Sequence, residues 1–169
     1  GLNKTTLTEI ARDIRIGKAT IYHYFDSKED LFFQSIEYDV SLFINDIKQI
    51  FNNEQLPLKE KFAEYFNYKQ DLYNRYKLLY DVITRILKEE GIEKEYEIFK
   101  KLLIDEEEVL TAVLISHFKI ENTKPELPKF FAMQSWGILF GKKLNDIRNN
   151  GVIQNSKELL SDALSILIK

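Results

Sequence analysis

Long stretches of this chain place apolar residues three and four positions apart, and few residues interrupt them. Only 6 glycines and 3 prolines occur among its 169 residues. Glycine and proline are the residues least compatible with a helix interior, so a chain with so few of them can remain helical over most of its length. The sequence therefore predicts an all-α protein.

The composition excludes several classes of site. The chain contains no cysteine, which excludes disulfides, thiolate catalysis and cysteine-bound metal centres. No apolar run approaches the ~20 residues that cross a bilayer, and no signal-peptide pattern is present. We find neither a nucleophile–base constellation nor a phosphate-binding glycine loop. The sequence predicts a cytoplasmic protein that is not an enzyme and has no catalytic residues, metal or cofactor.

Helix start and stop signals divide the chain into eight predicted helices. Thr6-Leu7-Thr8-Glu9 has the pattern of a capping box, and Asp26-Ser27 caps a long third helix. Gly91 and Gly151 stand where glycines end two of the later helices. The predicted helices cover about residues 7–14, 18–24, 28–51, 58–73, 75–89, 93–118, 126–149 and 156–168.

The first two predicted helices are short, and a link of three residues, Arg15 to Gly17, joins them. Two short helices with a tight turn form the DNA-reading unit of many regulators. Ile16, Ile21 and Phe25 can face inward, which leaves the polar side chains of the second helix outside. Residues 1–25 carry four basic and two acidic side chains, whereas the whole chain has a formal charge of −3. The basic stretch therefore coincides with the predicted helix-turn-helix.

This region closely resembles the recognition helix and the following helix start of the TetR family of transcriptional regulators. The resemblance is carried by the segment Lys18-Ala19-Thr20-Ile21-Tyr22-His23-Tyr24-Phe25-Asp26-Ser27-Lys28-Glu29-Asp30-Leu31-Phe32. Thr5-Thr6-Leu7-Thr8-Glu9-Ile10-Ala11 resembles the family's preceding helix. The matching family positions tend to contact DNA, which implies DNA contacts at Thr6, Lys18, Ala19, Thr20, Tyr22, Tyr24 and Lys28.

The chain departs from the family pattern in three ways. Ile14-Arg15 occupies turn positions where the family usually has a small residue and a glycine. Gly17 stands where the family usually has a serine N-cap, although glycine also caps acceptably. The family has a helix before the motif, whereas only Gly1 to Thr5 precede it here. The resemblance therefore implies that the chain as given lacks the family's first helix.

Residues 1–34 are predicted to form the DNA-binding domain, and residues 35–169 a larger helical domain for effector binding and dimerisation. Aromatic side chains recur on the inward stripes of its helices. They either pack the core or line a cavity for a bulky, largely apolar effector. The candidate cavity residues are Phe62, Tyr65, Phe66, Tyr80, Phe99, Trp136 and Phe140.

The last two predicted helices are apolar on more than one face. A helix that is apolar nearly all round must be buried nearly all round, either within its own core or against a partner subunit. We prefer dimerisation through a four-helix bundle, because two glycines four residues apart allow a close helix crossing. The predicted interface residues are Gly137, Gly141, Leu159, Ala163 and Leu167.

The remaining polar clusters are not predicted to be sites. The acidic run Asp105-Glu106-Glu107-Glu108 is expected to be a solvated face of a long helix. His117 lies near a helix C-terminus, where the helix dipole or packing explains a histidine better than metal binding does.

These observations together predict a ligand-responsive, DNA-binding transcriptional regulator. A homodimeric repressor is favoured, which a small, largely apolar effector releases from a palindromic operator in double-stranded DNA. Two alternatives stay open. The helical domain can bind a protein partner instead of a small molecule, or the chain can be a helical carrier or enzyme without DNA affinity.

Overall fold

The computed structural model describes residues 5–118 and 126–137, and within them the chain is helical and contains no strand, as predicted. Short links join the helices, and every helix in this part of the chain is too short or too polar to cross a lipid bilayer. The helices are α1 (Leu7–Asp13), α2 (Lys18–Tyr24), α3 (Lys28–Asn52), α4 (Leu58–Gln70), α5 (Leu72–Arg75), α6 (Lys77–Leu87), α7 (Glu93–Phe118) and α8 (residues 127–137).

Local capping interactions set the starts of α1 and α3. The Thr6 hydroxyl accepts the Glu9 N–H at 3.2 Å, and the Glu9 carboxylate accepts the Thr6 N–H at 2.8 Å. This is the predicted capping box, which satisfies two backbone donors that the first turn leaves without helical partners. At α3 the Ser27 hydroxyl accepts the Asp30 N–H at 3.0 Å.

Two hydrophobic clusters organise the described residues, and α3 contributes to both. The small cluster consists of Leu7, Ala11 and Ile21, with Leu31 of α3 packed against it. From Phe32 onward, α3 faces the large cluster, where it packs mainly against α7 and α4. The long third helix therefore connects the α1–α2 corner to the larger helical body.

Aromatic side chains fill the centre of the large cluster. Phe43 of α3 is fully buried, and its ring centroid lies 5.6 Å from that of Tyr68 and 5.9 Å from that of Trp136. Phe62 of α4 lies 5.1 Å from Phe51 and 5.1 Å from Phe131. These contacts join α3, α4 and α8 in one core.

The largest differences from the predicted helix boundaries lie between α4 and α7. The helix predicted over 58–73 ends at Gln70, and the short α5 follows it. The prediction that Gly91 stops the next helix is wrong, because Glu89 adopts the left-handed conformation that closes α6, with φ 61°. The N–H groups of Glu89 and Glu90 donate to the carbonyls of Ile86 and Arg85, the two-bond pattern of a Schellman helix end. Gly151 lies outside the described residues.

Candidate nucleic-acid interface and helical core

The corner between α1 and α2 closes through a left-handed residue. Arg15 has φ 59°. Its N–H donates to the Arg12 carbonyl at 3.1 Å, and the N–H of Ile16 donates to the Ala11 carbonyl at 2.9 Å. These two bonds again form a Schellman end, at a position where glycine pays no steric penalty and arginine does.

One apolar side chain holds α2 against α1. Ile21 is 1% exposed and packs with Leu7 and Ala11, and Phe25 lies half-buried beside them. The expectation that Ile16 also faces inward is wrong, since its side chain is 38% exposed. The chain reverses at Arg15, and Ile21 fills the contact with Ala11 instead.

The other side chains of α2 point to solvent. Tyr22 and Tyr24 are 46% and 66% exposed, and Lys18, Ala19 and Thr20 are exposed as well. The Lys18 ammonium lies 5.7 Å from the centre of the Tyr22 ring. Short, basic and hydroxyl-bearing side chains on one exposed helix can donate to phosphates and to base edges.

The two remaining predicted DNA contacts flank α2 at helix N-termini. Thr6 is the N-cap of α1, and its hydroxyl is engaged in the capping box. The hydrogen bond from the Thr6 N–H is the main cause of the lowered pKa of the Glu9 carboxyl, and it favours the ionised carboxylate of the capping box. Lys28 is the first residue of α3, and its ammonium lies 3.7 Å from the Glu29 carboxylate. The structure thus brings all seven predicted contact residues to the α1–α2 corner and the start of α3.

The predicted cavity residues lie in or beside the large cluster. Phe62, Tyr65, Phe66 and Trp136 are buried, and Tyr80 and Phe99 are half-buried against them. Phe140 lies outside the described residues. Hollows of about 420 Å³ between α3 and α7 and about 500 Å³ along α3 and α4 are lined by other side chains. An effector cavity at the aromatic residues stays a prediction.

Only one of the predicted dimer-interface residues lies in the described part of the chain. Gly137 is exposed on α8, and a Cβ atom added there would meet no atom within 4 Å. Gly141, Leu159, Ala163 and Leu167 lie outside the described residues, so the interface also stays a prediction.

A buried ionic cluster in the helical body escaped the sequence analysis. The Lys69 ammonium of α4 lies 2.6 Å from a carboxylate oxygen of Glu106 on α7 and 2.6 Å from the Ser135 hydroxyl on α8. The exposed fractions are 1%, 0% and 1%. The expectation of a solvated acidic run is therefore wrong at Glu106, because this residue continues the buried stripe of α7 between Leu102 and Leu110.

Aromatic donors complete the cluster around the same carboxylate. The Tyr65 hydroxyl donates to one Glu106 oxygen at 2.6 Å, and the Trp136 indole N–H donates to the other at 2.8 Å. The Lys69 ammonium lies 3.7 Å from the Trp136 ring centre. Burial lowers the pKa of Lys69 to about 8, although Glu106 opposes that shift. Burial and the Glu106 charge raise the pKa of Tyr65 well above its usual value.

A signal for this cluster exists in the sequence. Lys69 follows Phe62 and Tyr65 at helical spacing, and Glu106 follows Leu102. Each is a charged residue on an otherwise apolar stripe, which predicts burial only if an opposite charge faces it. The two residues lie 37 positions apart, and no local pattern pairs them.

The N-terminal corner of the chain is similar to a known protein family. Residues 1–34 match the model of the family described as bacterial regulatory proteins, tetR family. The biofilm operon icaADBC HTH-type negative transcriptional regulator IcaR of Staphylococcus aureus (strain Newman) is 30% identical over 80 residues, which cover 47% of this chain and 43% of that protein. The chain spans less than half the length of the curated relatives it matches.

Solved structures extend the likeness to the whole fold. A TetR transcriptional regulator from Legionella pneumophila is 24% identical, with a TM-score of 0.67 over 100% of this chain and 89% of that one. The transcriptional regulator FadR from Bacillus subtilis, solved in complex with stearoyl-CoA, is 22% identical, with a TM-score of 0.59 over 96% of this chain and 86% of that one. At this identity the likeness shows the fold. The matched proteins are regulators, which agrees with the prediction that the chain is not an enzyme.

Proposed function

We propose, from the match of residues 1–34 to the tetR family of bacterial regulatory proteins, that the chain is a transcriptional regulator that reads double-stranded DNA with α2. The observation that carries the proposal is the division of α2 into two sides. Ile21 anchors the helix to α1, and the polar side chains on either side of it are exposed. A helix held in this way can enter the major groove with its polar residues toward the bases.

The exposed residues suit different parts of a DNA duplex. Lys18 can donate to guanine or to a phosphate, and the methyl groups of Ala19 and Thr20 can contact a thymine methyl. The hydroxyl groups of Tyr22 and Tyr24 suit phosphate oxygens. We assign phosphate contacts to Thr6 and Lys28, which stand at the starts of α1 and α3 on either side of α2.

The regulator acts as a homodimer on a palindromic operator in this proposal. Two copies of α2 spaced about 34–36 Å apart read successive major grooves on one face of the duplex. The chain as a whole is acidic, with a formal charge of −3, so the basic corner around Arg12, Arg15 and Lys18 orients the protein on the DNA. Because its proposed partner is DNA, we expect the protein to act in the bacterial cytoplasm.

The helical body is the proposed effector domain of a repressor. The aromatic core suits a small, largely apolar molecule, and FadR, which shares the fold, was solved with stearoyl-CoA. An effector releases the operator to the extent that it binds the DNA-free arrangement more tightly. A coupling of about 1–3 kcal/mol between the two sites gives roughly 5- to 150-fold regulation.

Titration of the protein against duplex DNA from upstream of its own gene tests the proposal. We expect tight binding to this DNA and weak binding to a scrambled duplex of equal length and composition, measured by fluorescence anisotropy. Equal affinity for the two duplexes would contradict a role as a sequence-specific regulator.

The salt dependence of the same titration tests the contact at Lys28. Lys28→Ala should weaken binding to every duplex and reduce the slope of log K against log salt by about one. Lys101→Ala, which removes an exposed lysine from α7, is the matched control and should leave the slope unchanged. An unchanged slope in Lys28→Ala would remove Lys28 from the interface.

A further inference from the structure

The buried cluster around Lys69 and Glu106 uses all of its strong hydrogen-bonding groups internally. The ammonium donates to Glu106, to Ser135 and, at 3.4 Å, to the Tyr65 hydroxyl. One carboxylate oxygen of Glu106 accepts from Lys69 and Tyr65, and the other accepts from Trp136. The Ser135 hydroxyl donates back to the Ala132 carbonyl of its own helix at 2.6 Å. The cluster is closed, and it joins three helices.

A closed buried ion pair is a costly way to hold helices together. Removing two charges from water costs free energy that their mutual attraction often fails to recover, and apolar residues of similar size commonly give equal or greater stability. The apolar contacts around the pair, such as those of Phe43 and Leu110, already supply a dense core. Stability alone therefore does not explain a lysine and a glutamate at this place.

The ionic cluster adds contacts to the apolar core that depend on the angle between the groups. Apolar side chains tolerate sliding, because their contacts depend little on angle, whereas hydrogen bonds weaken steeply when they are bent or stretched. Ser135 and Trp136 are neighbours on α8 and bind opposite members of the pair. A small rotation or shift of α8 against α4 and α7 breaks both bonds together, and the buried pair then lacks two of its hydrogen-bond partners.

We propose that the Lys69–Glu106 pair is a conformational lock, which fixes α4, α7 and α8 in one arrangement and so suppresses alternative packings of the effector domain. The lock rests on the proposed function for its regulatory meaning: in this proposal the locked arrangement is the one that binds operator DNA. The groups facing the pair are Tyr65 from α4, Ser135 and Trp136 from α8, and the Phe43 ring from α3.

Trp136 is the only tryptophan of the chain and a member of the cluster, so it reports on the lock directly. Protein labelled with fluorotryptophan gives a single fluorine NMR signal for each environment of this side chain. The decisive variant is Lys69→Met combined with Glu106→Gln. It removes both charges, while the amide of the new glutamine can still accept from Trp136 and donate to Tyr65 or Ser135.

The proposal predicts that the double variant keeps most of its thermal stability but loses its single conformation. Lys69→Met alone should lower Tm strongly, because Glu106 is left buried without its cation. The double variant should recover to within a few degrees of the wild-type Tm, yet its fluorine signal should broaden or split where the wild type shows one narrow line. Its affinity for promoter DNA should fall at least about fivefold, the lower end of ordinary coupling between sites.

The half-exposed pair Arg75–Asp71 provides the matched control. Arg75→Met with Asp71→Asn removes one charge of each sign and should leave Tm and the fluorine line nearly unchanged. A single narrow line in the Lys69–Glu106 double variant would overturn the lock, and so would a loss of Tm as large as in Lys69→Met. If the wild type shows no preference for its promoter DNA, the proposed function fails, while the fluorine spectra still decide whether the lock exists.

Discussion

Arg15 occupies a backbone conformation that its residue type disfavours. In the left-handed region the Cβ atom of an L-residue crowds a backbone carbonyl, which costs about 1–2 kcal/mol relative to the right-handed region. The family pattern usually has glycine in this turn, and the structure gives the physical reason, since φ is 59°. The turn nevertheless keeps both of its closing hydrogen bonds, so the departure affects stability and leaves the path of the chain intact.

Arg15→Gly should therefore stabilise the protein. We expect the free energy of unfolding to rise by about 0.5–1 kcal/mol, since relief of strain exceeds the entropy that a glycine adds to the unfolded chain. Urea denaturation measures the change. Arg12→Gly is the control within α1, where glycine should lower stability by about 1 kcal/mol. A loss of stability in Arg15→Gly would contradict the strain.

At the scale of the helix, the end of α6 and the start of α7 depend on a close approach at Gly91. A Cβ atom there would lie 2.9 Å from Cγ1 of Ile86 and 3.0 Å from Cε2 of Tyr96. The Tyr96 hydroxyl donates to the Ile86 carbonyl across the same junction. Gly91 is thus required by packing between two helices, whereas the left-handed residue that ends α6 is Glu89.

Gly91→Ala and Glu89→Gly should therefore change stability in opposite directions. The added methyl group of Gly91→Ala overpacks the junction and should lower the free energy of unfolding by about 1–3 kcal/mol. Glu89→Gly, two residues away, relieves a positive φ and should raise it by about 0.5–1 kcal/mol. Urea denaturation of both variants checks the pair. An unchanged Gly91→Ala variant would show that Ile86 and Tyr96 can move aside.

At the scale of the whole molecule, the DNA contact that we propose at the α1–α2 corner requires two copies held at a fixed spacing. Gly137 lies exposed on α8, with open space above its Cα atom. A glycine on an exposed helix face lets a second helix approach closely, which suits the dimer that we propose.

We expect light scattering to give twice the 20.0 kDa mass of the chain. Gly137→Leu should shift the protein toward the monomer, because a bulky side chain blocks a close crossing, and DNA affinity should fall with it. Lys129→Leu, which changes an exposed residue of the same helix, is the control and should leave the dimer intact. A monomeric wild type would rule out the dimer.

Features that depend on residues close together in the sequence were predicted more accurately than features that depend on distant residues. The bounds of α2 and α7 agree with the predicted ones, and α1 and α3 differ by a single residue, because caps and apolar spacing act over a few positions. The break after Gln70 was missed, since the pattern from Leu58 onward continues through it. Residues beyond 137 and the interface expected there remain predictions.

The sequence by itself determined the helical class, the capping box at Thr6 and the exposed polar side of α2, since each depends on neighbours within about one turn. It also carried the family resemblance in one contiguous segment. Tertiary structure alone decided the positions of Lys69 and Glu106. A charge on an apolar stripe is a defect until an opposite charge meets it, and that partner comes from another helix 37 residues away.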